Sequence, residues 1–155
     1  MGGDKGPKAV LGGMNQFLYQ NGEDKVSFRL FGDAARLNRM LAKYPRVARN
    51  CTVVHAPGVI RGTDKVRDVI RHAQDTSMYM AIKDVREGNA SAVVSAGNTG
   101  ILMSLSKLML KTTAGIARPA ITTMLPSGGG DSRVVVLDLG ANVQCDETVL
   151  FDFSI

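Results

Sequence analysis

Ala92-Val93-Val94-Ser95-Ala96-Gly97-Asn98-Thr99-Gly100-Ile101-Leu102-Met103-Ser104-Leu105 is the stretch on which the fold turns. Ala92–Ala96 is a short run of small and β-branched residues, as expected of a buried strand. Gly97–Gly100 interrupts it with two glycines and two polar residues, and Ile101–Leu110 resumes as a strongly apolar helical segment. A strand that passes through a glycine-rich turn into a helix is half of a βαβ unit. At such a junction the N–H groups of the loop and of the first helical turn converge, which favours an anion. Ser95, Asn98 and Thr99 add neutral donors, while Gly97 and Gly100 allow the backbone close to a ligand. The plainer reading uses the same residues: Thr99 caps the helix and the glycines only make the turn.

Working outward, helical and strand periods alternate. Ala9, Val10, Met14, Phe17 and Leu18 recur at helical spacing, with Asn21-Gly22 as the stop. Val26–Phe31 predicts a strand. Asp33 then caps a helix carrying Ala34, Leu37, Leu41 and Tyr44, ended near Pro45. Cys51–Ala56 predicts a second strand. Thr63 or Asp64 caps a helix with Val66, Val69, Ile70 and Ala73 on one side, and Ser77 opens another with Met78, Ala81, Ile82 and Val85, closed by Gly88. Ala120–Leu125 and Arg133–Leu139 predict two more strands. Strands separated by helices imply crossovers, hence a three-layer α/β/α domain with a largely parallel sheet. Ligands of such sheets bind at the carboxyl ends of the strands.

Composition narrows the classes. The chain has 155 residues, 45% hydrophobic and 21% charged, which is ordinary for a globular domain. Cys51 and Cys145 form no CxxC pair, and the chain opens with no secretory leader, so a reducing cytoplasm is expected. No apolar run nears the roughly 20 residues a membrane span needs. No metal is assigned, because His55, His72 and the cysteines lack ligand spacing. The net charge of +5 favours anionic partners. Nucleic acid is disfavoured, since the basic residues neither cluster nor alternate with exposed aromatics. There is no Walker loop, GxGxxG, GxSxG or HExxH, so the common nucleotide, serine-hydrolase and zinc chemistries are not expected.

Three further loops are candidates. Asp138-Leu139-Gly140-Ala141-Asn142 ends a strand with a carboxylate and an amide that either orient a ligand or close an Asx-type turn. Met1-Gly2-Gly3-Asp4 with Pro7 places Asp4 beside a ligand or at a helix cap. Lys65, Arg67 and Arg71, with Thr76-Ser77-Met78, either neutralise phosphate or form a solvated face.

Taken together, Met1–Asp4 with Pro7, Gly32-Asp33, Thr76–Met78, Val94–Gly100, Arg118-Pro119-Ala120 and Val136–Asn142 with Cys145-Asp146 resemble the phosphate acyltransferase family of fatty acid and phospholipid metabolism. VSAGNTG and LDLGANV are the most specific pieces, and the resemblance covers essentially the whole chain. It implies transfer of a fatty acyl group from acyl carrier protein to inorganic phosphate, without a cofactor, giving acyl phosphate for glycerol-3-phosphate acylation. It also implies a fold similar to isocitrate and isopropylmalate dehydrogenases and phosphate acetyltransferases, a homodimer, and loose peripheral association with a membrane. Phosphate is then expected at Gly97–Gly100, contacted by Ser77, Ser95 and Lys65. Asn98, Thr99 and Asn142 are the expected catalytic donors, and Asp4 and Asp138 orient loops or ligand. Residues 1–155 would be the N-terminal part of one α/β domain, lacking a first strand and a C-terminal half. The apolar end Val149–Ile155 fits that expectation. Val66 departs from the family, which often has Pro there. Two alternatives stay open, a phosphate acetyltransferase-like enzyme using acyl-CoA and a non-catalytic phosphate-binding fragment.

Overall fold

A computed structural model describes residues 3, 5–23, 25–128, 133–140, 142 and 144–155. The chain divides into two units, Met1–Met109 and Leu110–Ile155.

In the first unit, α1 (Gly6–Asn21) starts on Pro7, whose missing N–H is no loss in a first turn. It ends at Gly22, where φ of +88° suits only glycine and the N–H returns to the Leu18 carbonyl. Leu11, Met14 and Leu18 lie on one face and are buried. β1 (Phe28–Gly32) and β2 (Cys51–His55) pair in parallel, from Phe28 opposite Cys51 to Gly32 opposite His55. The crossover between them is α2 (Ala34–Leu41) and α3 (Pro45–Arg49). Asp33 caps α2 as expected, its carboxylate accepting from the Arg36 N–H at 2.7 Å. Leu30, Leu37, Leu41 and Val47 join the α1 residues in one core.

Side chains alternate across a strand, so Arg29 leaves β1 on the face opposite Leu30. There its guanidinium grips the buried Asp84 carboxylate of α5 (Ser77–Arg86) in a two-pronged ion pair, Nη2 to Oδ1 at 3.1 Å and Nε to Oδ2. Helices therefore flank β1 on both faces. α4 (Val66–His72) and a short 3-10 turn, Ala73–Asp75, precede α5, which Thr76 caps through its hydroxyl. The helix opens at Ser77, as the sequence predicts. α6 (Thr99–Leu110) packs Ile101, Leu105 and Met109 against Ile60, Ala73, Met78 and Ile82 in a second core.

One expected strand is missing. Ala92–Ala96 adopts no ladder, and Val94 is 97% exposed. A strand exists only where a neighbour takes up its N–H and C=O groups, and among the described residues none lies alongside.

In the second unit, β3 (Thr122–Pro126) and β4 (Arg133–Leu137) form an antiparallel hairpin, Thr122 opposite Leu137. The largely parallel sheet expected from the sequence thus holds for β1 and β2 only. The reason is length, since a parallel connection needs a dozen or more residues and Ser127–Ser132 is too short. α7 (Glu147–Ser154) is capped by Asp146, which accepts from the Val149 N–H at 2.9 Å. The nearly buried Asp152 carboxylate accepts from the N–H groups of Ala117 at 2.8 Å and Arg118 at 3.3 Å. The protein is thus a mixed α/β chain with a small parallel sheet.

Candidate anion site at the start of helix α6

An open cleft of about 550 Å³ lies where residues 96–100 meet Gly3, Arg61 and Gly62. Its floor is the turn into α6, and the turn's geometry comes from its own side chains. The Ser95 hydroxyl accepts from the Gly97 N–H at 3.2 Å, folding the backbone back on itself. Asn98, not Thr99, caps the helix: Oδ1 accepts from the Ile101 N–H at 3.0 Å and the Asn98 carbonyl takes the Leu102 N–H at 2.9 Å. Asn98 Nδ2 donates to the Gly62 carbonyl at 3.0 Å and ties the turn to the loop after β2. As arranged, the amide serves the fold at both ends.

The cap leaves the N–H groups of Thr99 and Gly100 without an acceptor among the described residues. Both residues are exposed and line the cleft, where the positive end of the α6 dipole lies. Among the described residues that line the cleft, Arg61 is the charged one. Its N–H donates to Asp64 Oδ2 at 2.8 Å and its carbonyl receives the Asp64 N–H at 3.1 Å, which fixes its backbone. Gly3 packs so tightly that a Cβ there would stand 2.8 Å from the Ala96 carbonyl oxygen. Two open backbone donors at a helix start beside an arginine suit an anion of phosphate size.

The other expected residues distribute as follows. Ser95, Gly97, Asn98, Thr99 and Gly100 gather at this turn. Lys65 does not line it; it lines a neighbouring cleft of about 470 Å³ with Asp64, Asp68 and His72. Ser77 is buried at the start of α5, its N–H donating to the Gly58 carbonyl at 3.1 Å. Asp4 lies outside the described residues. Asp138 and Asn142 belong to the second unit and hold each other. The Asp138 carboxylate accepts from both the backbone N–H (3.2 Å to Oδ2) and Nδ2 (3.1 Å to Oδ1) of Asn142, and Nδ2 also donates to the Pro119 carbonyl at 3.3 Å. Asp138 has φ of +55°, an uncommon backbone for a residue other than glycine. Sequence reading missed Arg61; its only signal was a lone arginine before Gly62 in a loop leaving a strand. Among the described residues no three His, Cys, Asp or Glu gather to hold a metal, and no helix is long and apolar enough to cross a membrane.

Fold and cleft together define an α/β protein with an open, donor-lined cleft at a helix start. Residues 1–155 match the family described as "Fatty acid synthesis protein", and the chain belongs to that family. It is similar to proteins named phosphate acyltransferase from Maricaulis maris (43% identical), Neorickettsia sennetsu (44%) and Granulibacter bethesdensis (45%). These matches cover 100%, 99% and 100% of the chain but only 44%, 44% and 41% of the relatives, so the chain spans less than half their length.

Proposed function

We propose that the chain supplies the phosphate-binding loops of an acyltransferase that moves a fatty acyl group from acyl carrier protein to inorganic phosphate, releasing acyl phosphate. The observation that carries this reading is the pair of unclaimed N–H groups at Thr99 and Gly100 facing a cleft whose charged wall is Arg61. The name borne by the relatives fits the same chemistry. Phosphate is its own nucleophile: one oxygen bonds to the thioester carbonyl carbon, a tetrahedral oxyanion forms, and the carbon–sulfur bond breaks to release the thiol after protonation. The protein's tasks are then to hold phosphate in line and to stabilise the oxyanion. Thr99 and Gly100 hold phosphate, with Ser95 and Gly97 shaping the turn. Asn98 positions the donors from beneath. Asn142 and Asp138 order their own loop, and Ser77, Lys65 and Asp4 bear on the substrate less directly.

In the same reading, residues 1–155 form the N-terminal part of one three-layer α/β domain similar to the isocitrate and isopropylmalate dehydrogenase fold. The whole protein acts in the cytoplasm as a homodimer that touches the membrane peripherally. Phosphorus NMR titration of this chain should show phosphate binding that weakens about tenfold on Arg61→Ala. Acyl phosphate formation from palmitoyl acyl carrier protein, by a chain of the relatives' full length, should fall about 100-fold or more on Thr99→Ala, which removes a donor that holds the attacking phosphate in line. Unchanged turnover in that variant would refute the site. Phosphate binding without any turnover in the longer chain would refute acyl transfer.

A further inference from the structure

The charge of this chain is unevenly placed. Residues 34–50, which comprise α2 and α3, hold five of the 19 Lys and Arg and none of the 14 Asp and Glu, so the remainder carries equal numbers of each sign. Arg36 and Arg39 sit on the side of α2 opposite the buried Leu37 and Leu41, and Lys43 follows in the turn after it; all three are exposed. Arg36 to Lys43 spans about 10 Å at helical rise. Arg46 and Arg49 continue the run on α3. Glu23 engages both, at 3.0 and 3.1 Å, yet the Arg49 side chain is still 64% exposed. Among the described residues the carboxylates bordering the patch are Glu23 and Asp33, and Asp33 is already the α2 cap.

Three kinds of anionic partner bind such a surface, and the residues here favour one. A membrane would call for exposed apolar side chains among the cations, and residues 34–50 expose no large hydrophobic residue. Nucleic acid would call for open aromatic faces. The nearest exposed aromatic is Tyr19, and the Arg46 guanidinium covers one face of its ring at 5.4 Å from the centroid. An arginine-rich helix bordered by a tyrosine has the composition that anchors protein interfaces, and guanidinium forks match carboxylates. The patch also starts at the working edge of the sheet. α2 leaves the carboxyl end of β1, the His55 Nδ1 at the end of β2 accepts from the Ala34 N–H at 3.2 Å, and β2 runs on into the Arg61-Gly62 loop of the cleft.

We infer that the exposed side of α2 and α3 is a docking surface for an acidic, carboxylate-bearing helix of a partner protein, and, on the acyl-transfer reading above, that this partner is the acidic protein carrying the acyl chain. Isothermal titration of the 155-residue chain with purified acyl carrier protein, and separately with a glutamate-rich helical peptide, tests this. Both should bind, more weakly as salt rises. The variant Arg36→Glu/Arg39→Glu/Lys43→Glu should weaken both by at least about tenfold. The variant Lys8→Glu/Lys25→Glu/Arg86→Glu, with the same net charge, should change them less than about twofold. Circular dichroism melts confirm that both variants fold. Equal losses in the two variants would overturn the inference, as would binding of phosphatidylglycerol vesicles or an RNA oligonucleotide at the patch in place of the protein probes. Peptide binding that depends on the patch, without carrier binding, would keep the acidic-helix surface and remove the carrier as its occupant. Failure of acyl transfer with patch-dependent carrier binding intact would count against the enzyme reading alone.

Discussion

Asn98 Nδ2 stands 3.0 Å from the carbonyl oxygen of Gly62, bridging two loops that are 36 residues apart in sequence. The other end of the same amide caps α6. Asn98→Ala removes cap and bridge together and should lower stability by about 1 kcal/mol or somewhat more. Asn98→Asp keeps the cap but loses the bridge, and places a negative charge under the proposed phosphate site. Its thermal melt should stay close to the parent while phosphate affinity falls further than in the alanine variant. Equal phosphate affinity in both variants would remove Asn98 from any role at the cleft.

Gly3 and Gly12 should respond oppositely to the same substitution. A Cβ at Gly3 meets the Ala96 carbonyl oxygen at 2.8 Å, so Gly3→Ala must push the turn into α6 and should cost about 1–3 kcal/mol. Gly12 lies inside α1 with open space around it, and Gly12→Ala should stabilise by about 0.5–1 kcal/mol. Urea melts of the two variants provide the check.

Arg29 and Asp84 pin β1 to α5 across the face that the first core leaves free. Asp84 is 6% exposed, and its carboxylate is satisfied by this partner and by Asn89 Nδ2, 3.3 Å from Oδ1. Arg29 is more accessible and can turn to water when abandoned. Asp84→Ala should therefore cost about 2–3 kcal/mol, and Arg29→Ala at least as much, because it strands a buried carboxylate. A double-mutant cycle should return a coupling of about 1–3 kcal/mol, and a value near zero would make the pair incidental.

Glu23 makes stability depend on acid. Partial desolvation works to raise its pKa, but hydrogen bonds from Arg49, Asn50 and Arg46, with the Arg49 charge, outweigh it and hold the carboxyl below its ordinary value. A depressed folded-state pKa stabilises above the unfolded pKa, and the gain is lost as pH falls through the folded one. Glu23→Gln should therefore melt earlier than the parent at neutral pH, with the gap closing as pH drops below the ordinary glutamate range. A gap independent of pH would trace the effect to packing.

Local chemistry made much of the fold legible. Gly22, Asp33 and Pro45 marked boundaries because each constrains one backbone position whatever surrounds it. Ala92–Ala96 misled because an apolar run states only a wish for burial, and pairing depends on a neighbour that may lie anywhere in sequence. The hairpin could have been found by counting the residues between its strands. At the site, the loop was legible from its glycines, but the division of labour within it was not. Asn98 and Thr99 read alike as donors, and only geometry assigns one to the cap and leaves the other open. Arg61 was illegible because a single arginine in a loop has no pattern.

The β3–β4 ribbon has a consequence for how the backbone breathes. It is two strands wide, and among the described residues no further strand adjoins it. Met124, Leu125, Val134 and Val135 are all about half exposed or more, so little apolar burial opposes its opening. Its amides should therefore exchange with deuterium through local fluctuation, well before those of β1 and β2, whose release requires the first core to come apart. The chain would then show two clocks in a single exchange experiment, a fast one beyond Met109 and a slow one before it.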